Sequence, residues 1–449
     1  MIRTRLMTLA LLLGADCATA QADTTQSPVE RGKTALLTRD YNPATWRPNA
    51  YDDAWKHWGD LKEKPKDYAR AFMDRYGLHP APYDNGRFPM GVREGTTFLG
   101  KGMTVDCMIC HGGSINGKSY VGLGNSTFDI QAFYEEMGRA SGGKGKTPFV
   151  FGNVRGTSEA GAMAVFLLSY RQPDLSIRLN RLDLGLRDDM CEDVPAWWLL
   201  KKKKTMYHTG GSDARSVRSL MQFMLSPLNL RETFVKEEAT FADIQAYLLS
   251  LEAPKYPFPI DRELASAGTS LFESTCARCH GTYGDKWTYP NKIVPLDVIG
   301  TDRRRFDGIS RAFGEHYNKS WFGEEKRGNQ PLKAMTSDGY QAPPLDGVWA
   351  TAPYFHNGSA PTVHDVLNSK NRPKIFTRSY RTDAEDYDQI KLGWKVRVLD
   401  KGADASMSPY ESRKIYDTTL PGRGNAGHTF GDHFTDAERR AVIEYLKTL

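Results

Sequence analysis

Cys-x-x-Cys-His occurs twice in this chain, in VDCMICHGGS (105–114) and in ESTCARCHGTYG (273–284). Two thiols in that spacing, followed at once by an imidazole, attach haem covalently. The thiols add to the porphyrin vinyl groups and the histidine presents a ring nitrogen to the iron. Cys107, Cys110 and His111 are thus candidates for one haem c, and Cys276, Cys279 and His280 for a second. The other cysteines argue against a disulfide or zinc framework. Of six, Cys17 lies in a leader-like N-terminus and Cys191 has no partner unless a motif is broken.

The composition narrows the setting. The 449 residues carry 60 Lys and Arg against 54 Asp and Glu, a formal net charge of +6. That is a mixed surface without the concentrated basic field of a nucleic-acid binder. The basic run 201–204 reads as a solvated face, with a docking site for an acidic partner as the alternative. Arg3 and Arg5 precede an apolar stretch at 6–14, and Ala20-Gln21-Ala22 follows as a cleavage signal. This predicts a secretory signal peptide over 1–22, too short to span a bilayer, and a periplasmic or secreted protein. Asp16 before Cys17 makes a poor lipid-attachment signal. The most apolar later stretch, 161–170, is also too short to span, so no membrane span is expected.

The motifs need helices to hold them. Gly-Thr and an apolar pair lead into each, in EGTTFLGKGMTVDCMICHGG (94–113) and AGTSLFESTCARCHGTYG (267–284). TFADIQAYLLSLEAP (240–254) and FTDAERRAVIEYLKTL (434–449) are amphipathic helical patterns. Capping boxes open them, Thr240 with Asp243 and Thr435 with Glu438, and Tyr-Leu-x-Ser/Thr-Leu closes them. A helix before each haem motif, packed on a terminal helix, predicts a mainly α chain of two cytochrome c-like domains with large loop and helix insertions. Their expected limits are 85–254 and 261–449. Residues 23–84 form an aromatic N-terminal wrapping segment, and 255–260 lie in a Pro-rich linker. The insertions of the first domain include helical patterns at 126–140 and 157–171 and the stretches 194–211 and 214–227.

PPLDGVWATAPYFHNGSAPTVHDVL (343–367) resembles a segment of the bacterial dihaem cytochrome c peroxidases and their relatives. Those relatives include the enzyme that oxidises protein-bound tryptophans in methylamine dehydrogenase maturation, and the dihaem rubber oxygenases. The likeness is greatest to the rubber-oxygenase branch and continues through 372–394 and 424–431. It also takes in the first haem motif, 122–137 and, more loosely, the Trp-Trp-Leu-Leu-Lys-Lys segment. The resemblance implies two unequal haems: one six-coordinate and passing electrons, the other with an open face for peroxide or dioxygen. It further implies a calcium site between the domains, whose ligands no motif marks here.

In the peroxidases a Met after the Pro-Tyr-Phe-His stretch ligates the electron-transfer haem; Lys370 stands there in this chain. His428, beside a glycine and just ahead of the terminal helix, is the candidate sixth ligand of the second iron, with Met407 and Met335 as alternatives. His356 reads as a haem-propionate or supporting contact. For the first haem, His208 and Met206 are candidate distal ligands. Trp197 and Trp198 are candidates to line its pocket or bridge the haems, against the plainer reading of core aromatics. Arg215 and Arg218 are candidate distal polar groups or propionate partners.

The functional expectation is a haem-dependent oxidoreductase of peroxidase or oxygenase type, with the first haem open and the second as electron relay. Apolar stretches in the first domain favour an oxygenase on an organic substrate. The expected partners are a small-molecule oxidant, a reductant or organic substrate, and a small cytochrome or cupredoxin as electron partner. The alternative is a pure electron carrier with both irons six-coordinate.

Overall fold

The computed structural model describes residues 26–59, 61–97 and 100–449. The expected signal peptide lies outside them. Helices dominate, with seven small antiparallel sheets of two or three strands among the described residues. In chain order the elements that concern the haem motifs begin with α1 (Pro28–Thr38) and α2 (Tyr68–Tyr76). A hairpin of β1 (Val92–Thr97) and β2 (Gly100–Val105) leads to α3 (Met108–His111), the first haem motif. Then come α4 (Ile130–Ala140), α5 (Ala160–Leu168) and α6 (Arg231–Ser250). No helix or strand covers 251–261. α7 (Arg262–Thr275) runs into α8 (Ala277–His280), the second motif, and α9 (Asp436–Leu446) closes the chain.

Two helix crossings frame the molecule, α1 on α6 and α7 on α9. Both are made at a glycine. A Cβ on Gly32 would meet the Asp243 carbonyl oxygen at 1.9 Å, and one on Gly268 the Ala441 carbonyl oxygen at 2.0 Å. Without side chains there, the backbones touch. Four residues further on, Leu36 and Phe272 fill the core beside each crossing.

Three expectations change. The stretch before Cys107 is a hairpin instead of a helix: Thr96, Thr97, Thr104 and Val105 are β-branched and pair across the strands. The counterpart of α7 is therefore α1, within 26–84. The rest of that segment packs Trp46, Tyr51, Phe72 and Tyr76 against Ile130, Phe133 and Met137 of α4. Finally, α6 starts at Arg231, so Thr240 lies inside the helix and caps nothing; its hydroxyl accepts from Arg39. Asp243 pairs with Arg31 at 2.8 Å. At α9 the capping box forms as read: Thr435 accepts from the Glu438 N–H and Glu438 from the Thr435 N–H.

A backbone repeat joins the two halves of the chain. Met206 pairs with Ser212, and Tyr354 bridges Ala360, at one constant offset. At that offset Tyr207 and Phe355 both have φ 68°, and the Gly210 and Gly358 N–H groups donate back to them. The repeats meet reciprocally: the Asp193 N–H donates to the His356 carbonyl at 2.8 Å, and the Gln341 N–H to the His208 carbonyl at 2.7 Å. This is a local two-fold relation within one chain.

The two threonines offer a test. Thr435→Ala, which removes a working cap, is expected to lower unfolding free energy by about 1 kcal/mol. Thr240→Ala is expected to change it by no more than about 0.5 kcal/mol, since alanine suits a helix interior. Denaturant titration of both variants checks this, and equal losses would contradict the reading of α6.

Candidate haem sites

The first motif is held from below by charge. Asp106 accepts the Met108 N–H at 2.8 Å and the Arg93 Nε–H at 2.6 Å, while Arg93 also donates to the Leu37 carbonyl. Burial pushes the Asp106 carboxyl up from its ordinary range, and Arg93 opposes that shift. Burial likewise raises the thiols of Cys110 and Cys276, each to about 12. Cys191 is buried and apart from both motifs, with Sγ 3.5 Å from the Thr157 hydroxyl.

Each motif histidine has a proline carbonyl near it, and the two prolines stand at the offset of the backbone repeat. His280 Nδ1 donates to the Pro343 carbonyl at 2.8 Å. A carbonyl can only accept, so the proton sits on Nδ1 and Nε2 keeps its lone pair for a metal. His111 Nδ1 is buried without a hydrogen bond of ordinary geometry. Burial lowers the His111 pKa to about 4, and the Pro195 carbonyl works against that lowering. Both rings are therefore neutral at pH 7, the form that ligates.

What faces the two imidazoles differs. The His280 and His428 ring centres lie 6.3 Å apart at 57°. Two imidazoles sharing one metal, with bonds of about 2 Å each, have ring centres about 6 Å apart. The pair thus fits an iron between them. His428 is enclosed and lowered to about 4, first by burial and then by His280. Its backbone takes φ 45°, with its N–H on the Ile299 carbonyl at 2.7 Å. Arg372 fixes this loop by donating to the carbonyls of Asn425 at 2.6 Å, Gly427 at 2.7 Å and His428 at 3.2 Å. His111 instead stacks on Trp197, with centres 4.5 Å apart and planes 20° from parallel, too close for a metal between the rings.

The remaining candidates have other surroundings. Trp198 is core, its indole N–H on the Asp346 carbonyl at 2.9 Å. Arg215 is spent on the carbonyls of Leu200, Lys201, Lys203 and Ala214, and Arg218 on Glu238 and the Trp321 carbonyl. Met335 and Met407 are exposed and Met206 is buried; Lys370 is exposed in a short turn. His356 stacks on Tyr340 at 4.1 Å and 14°, with Nε2 buried and unpartnered. It also faces His208 at 6.2 Å, whose Nε2 is bonded to the Asp193 carbonyl. This meeting of equivalent histidines went unread in the sequence, although Tyr-His-x-Gly (207–210) and Phe-His-x-Gly (355–358) signal it. Among the described residues no group of three or more His, Cys, Asp or Glu gathers to hold a metal, so calcium has no carboxylate cluster to occupy.

A family model described as RoxA-like, cytochrome c-like matches residues 339–377. The chain is 33% identical over 295 residues to uncharacterized protein y4iM of Sinorhizobium fredii (strain NBRC 101917 / NGR234), covering 57% of this chain and 64% of that one. It is 29% identical over 262 residues to uncharacterized protein y4iJ of the same organism, covering 44% and 41%. The alignments thus span less than two thirds of these relatives. Among solved structures, Kuenenia stuttgartiensis hydrazine synthase pressurized with xenon aligns at 13% identity over 68% of this chain and 89% of that one, with a TM-score of 0.26.

The matched segment contains Pro343, the hydrogen-bond acceptor of His280, together with the second copy of the repeat, which runs past His356 to Ala360. This part of the chain is similar to a cytochrome c-like domain, a kind of domain that carries covalently bound haem c. Among the described residues no helix is long and apolar enough to cross a membrane.

The interface histidines predict an acid response. His208 is lowered to about 3 by burial first, then by Arg305, with Lys203 adding and the Asp193 carbonyl opposing. His356 is lowered in the same direction by burial, His208 and Arg305. A histidine neutral in the fold contributes stability above its unfolded pKa of about 6.5, and loses it as pH falls towards the folded value. Denaturant titrations of wild type and His208→Gln between about pH 7 and pH 4 are expected to converge as pH falls. A gap that stays constant would contradict this.

Proposed function

We propose that the chain is an exported dihaem c-type cytochrome oxidoreductase of the dihaem peroxidase and oxygenase group. In this reading one haem is held by Cys107, Cys110 and His111, and the other by Cys276, Cys279, His280 and His428. The observation that carries it is the asymmetry between the motif histidines: His280 faces a second imidazole, whereas His111 is backed by an indole. Bound haem would supply one-electron transfer at the site where His280 and His428 both hold it, and peroxide or dioxygen activation at the site where His111 holds it alone.

The protein's own part is positional. Pro343 fixes the His280 tautomer, and Arg372 holds the loop that brings His428 towards it. On the first side, Trp197 packs flat against His111 and fixes its ring plane, while Asp106 and Arg93 anchor the attaching helix. The second site is then the electron relay and the first the reactive centre, taking peroxide or dioxygen as oxidant. The rubber-oxygenase branch is the relative we favour, because the matched family model is RoxA-like.

Two measurements test this. His428→Ala is expected to turn one low-spin ferric signal high-spin in electron paramagnetic resonance and leave the other haem unchanged. Arg372→Lys, which cannot reproduce the fork of donors, is expected to convert only part of that signal. No change in either variant would remove His428 from the iron.

Ligand stoichiometry tests the division of labour. The reduced protein is expected to bind about one carbon monoxide per two haems, since a six-coordinate iron offers no free position. Binding should be lost at the first haem in His111→Ala and should rise towards about two per two haems in His428→Ala, which opens the second iron. No binding at all would favour the pure electron carrier.

A further inference from the structure

We propose that the end of the molecule bearing Ile177, Leu179, Leu228 and Leu230 docks on the surface of an anionic lipid bilayer. This goes beyond the haem chemistry and does not depend on it. Two segments remote in sequence meet there. Residues 171–182 follow α5 and 226–230 precede α6, and Arg171 ties them, donating to the Leu175 carbonyl at 2.9 Å and the Ser226 carbonyl at 2.6 Å. Asp174 of the first segment lies within electrostatic reach of Arg231 at the start of α6, which closes the contact from the other side.

At this junction apolar side chains point into water. Leu179 is 96% exposed, Leu228 58%, Leu230 54% and Ile177 47%. Single exposed leucines are ordinary, but four on two joined segments form a patch that ordinarily has a partner.

The charge around the patch selects that partner. Arg178, Arg181, Arg231 and Lys236 stand on these segments or on the first turns of α6, against Asp174, Asp183 and Glu232, while Glu237 is taken up by Arg39. Arg178 is steadied by bonds to the Asn180 carbonyl and the Gln172 side chain, and the same neighbourhood receives Lys319 beside His316. Apolar tips within a basic rim match the two layers of a bilayer surface: the leucines enter the acyl boundary and the cations meet lipid phosphates. A second copy of this chain suits the patch poorly, because a two-fold contact would press the basic rim against itself.

The test uses the haem-loaded protein and flotation with vesicles of phosphatidylcholine alone or mixed with phosphatidylglycerol. Binding to the mixed vesicles, weakened by added salt, is expected. The double variant Leu179→Asp, Leu228→Asp should lower that binding at least about tenfold, and Arg178→Glu with Arg231→Glu should do so too. Haem spectra and far-ultraviolet circular dichroism should stay those of the wild type. Absence of binding to anionic vesicles would overturn the proposal, as would variants that bind like the wild type. A dimer in sedimentation that the leucine variant abolishes would assign the face to a second copy instead.

Discussion

A histidine that is to hold iron must stay neutral inside the protein, with one ring nitrogen occupied by a fixed acceptor and the other left free. The arrangement here depends on meeting that constraint near both motifs. Burial keeps the imidazoles uncharged, and a proline carbonyl lies by each ring. Proline suits that task, because its φ is fixed and it has no N–H competing for the neighbouring acceptors. For His280 the bond decides the tautomer outright. The surrounding structure works to keep that carbonyl still: Leu345, two residues on, donates its N–H to the Tyr283 hydroxyl at 2.6 Å, and Tyr283 donates to the His280 carbonyl. The motif and the proline segment are thus tied in a closed ring of hydrogen bonds.

The same proline segments carry the backbone repeat, so the constraint on the ligands and the joining of the two halves are one matter. Each segment runs from its proline through a 3₁₀ turn to a histidine whose carbonyl accepts from the other segment. Reciprocal main-chain bonds of this kind need no particular side chain. They preserve the relation between the halves while residues around the two imidazoles diverge. Trp198, whose indole bonds to the Asp346 carbonyl, adds a side-chain tie between the same segments.

What the sequence disclosed was whatever rests on local pattern. The two Cys-x-x-Cys-His motifs, the cap at Thr435 and the proline-rich break before α7 are set by neighbours in the chain. The Thr240 cap was misread because the residues upstream, Arg231 to Glu238, include Glu, Lys and Arg, which extend a helix readily and override a cap in its path. The hairpin before Cys107 was misread because Gly-Thr followed by apolar residues serves a helix in one context and a strand in another. What differs is β-branching over the following residues. The partnership of α1 with α6 was hidden altogether: Gly32 is an ordinary residue until Asp243 comes to lie against it. The repeat was hidden because it is conserved in backbone angles more than in letters, with little beyond Pro, His and Gly in common. His428 was legible through its neighbours, Gly427 and the terminal helix. The role of Arg372 was not, since its acceptors are all backbone carbonyls.

Divergence within the repeat is where the surroundings of the two motif histidines part. At matched positions one segment has Leu345 where the other has Trp197, and only the tryptophan can stack on its motif histidine. Tyr340 matches Glu192: the tyrosine lies flat on His356, whereas the glutamate turns away to Arg305 and the Gly161 N–H. His208 therefore lacks the aromatic cover that His356 has, and satisfies its ring with the Asp193 carbonyl instead. A frame that places two like segments about a local two-fold axis would, left symmetric, give two like sites. Here an indole replaces an aliphatic side chain beside one imidazole, and His428 on its Arg372-bound loop meets the other. Those few contacts break the equivalence without disturbing the main-chain bonds between the halves, which is how one duplicated frame surrounds its two motif histidines differently.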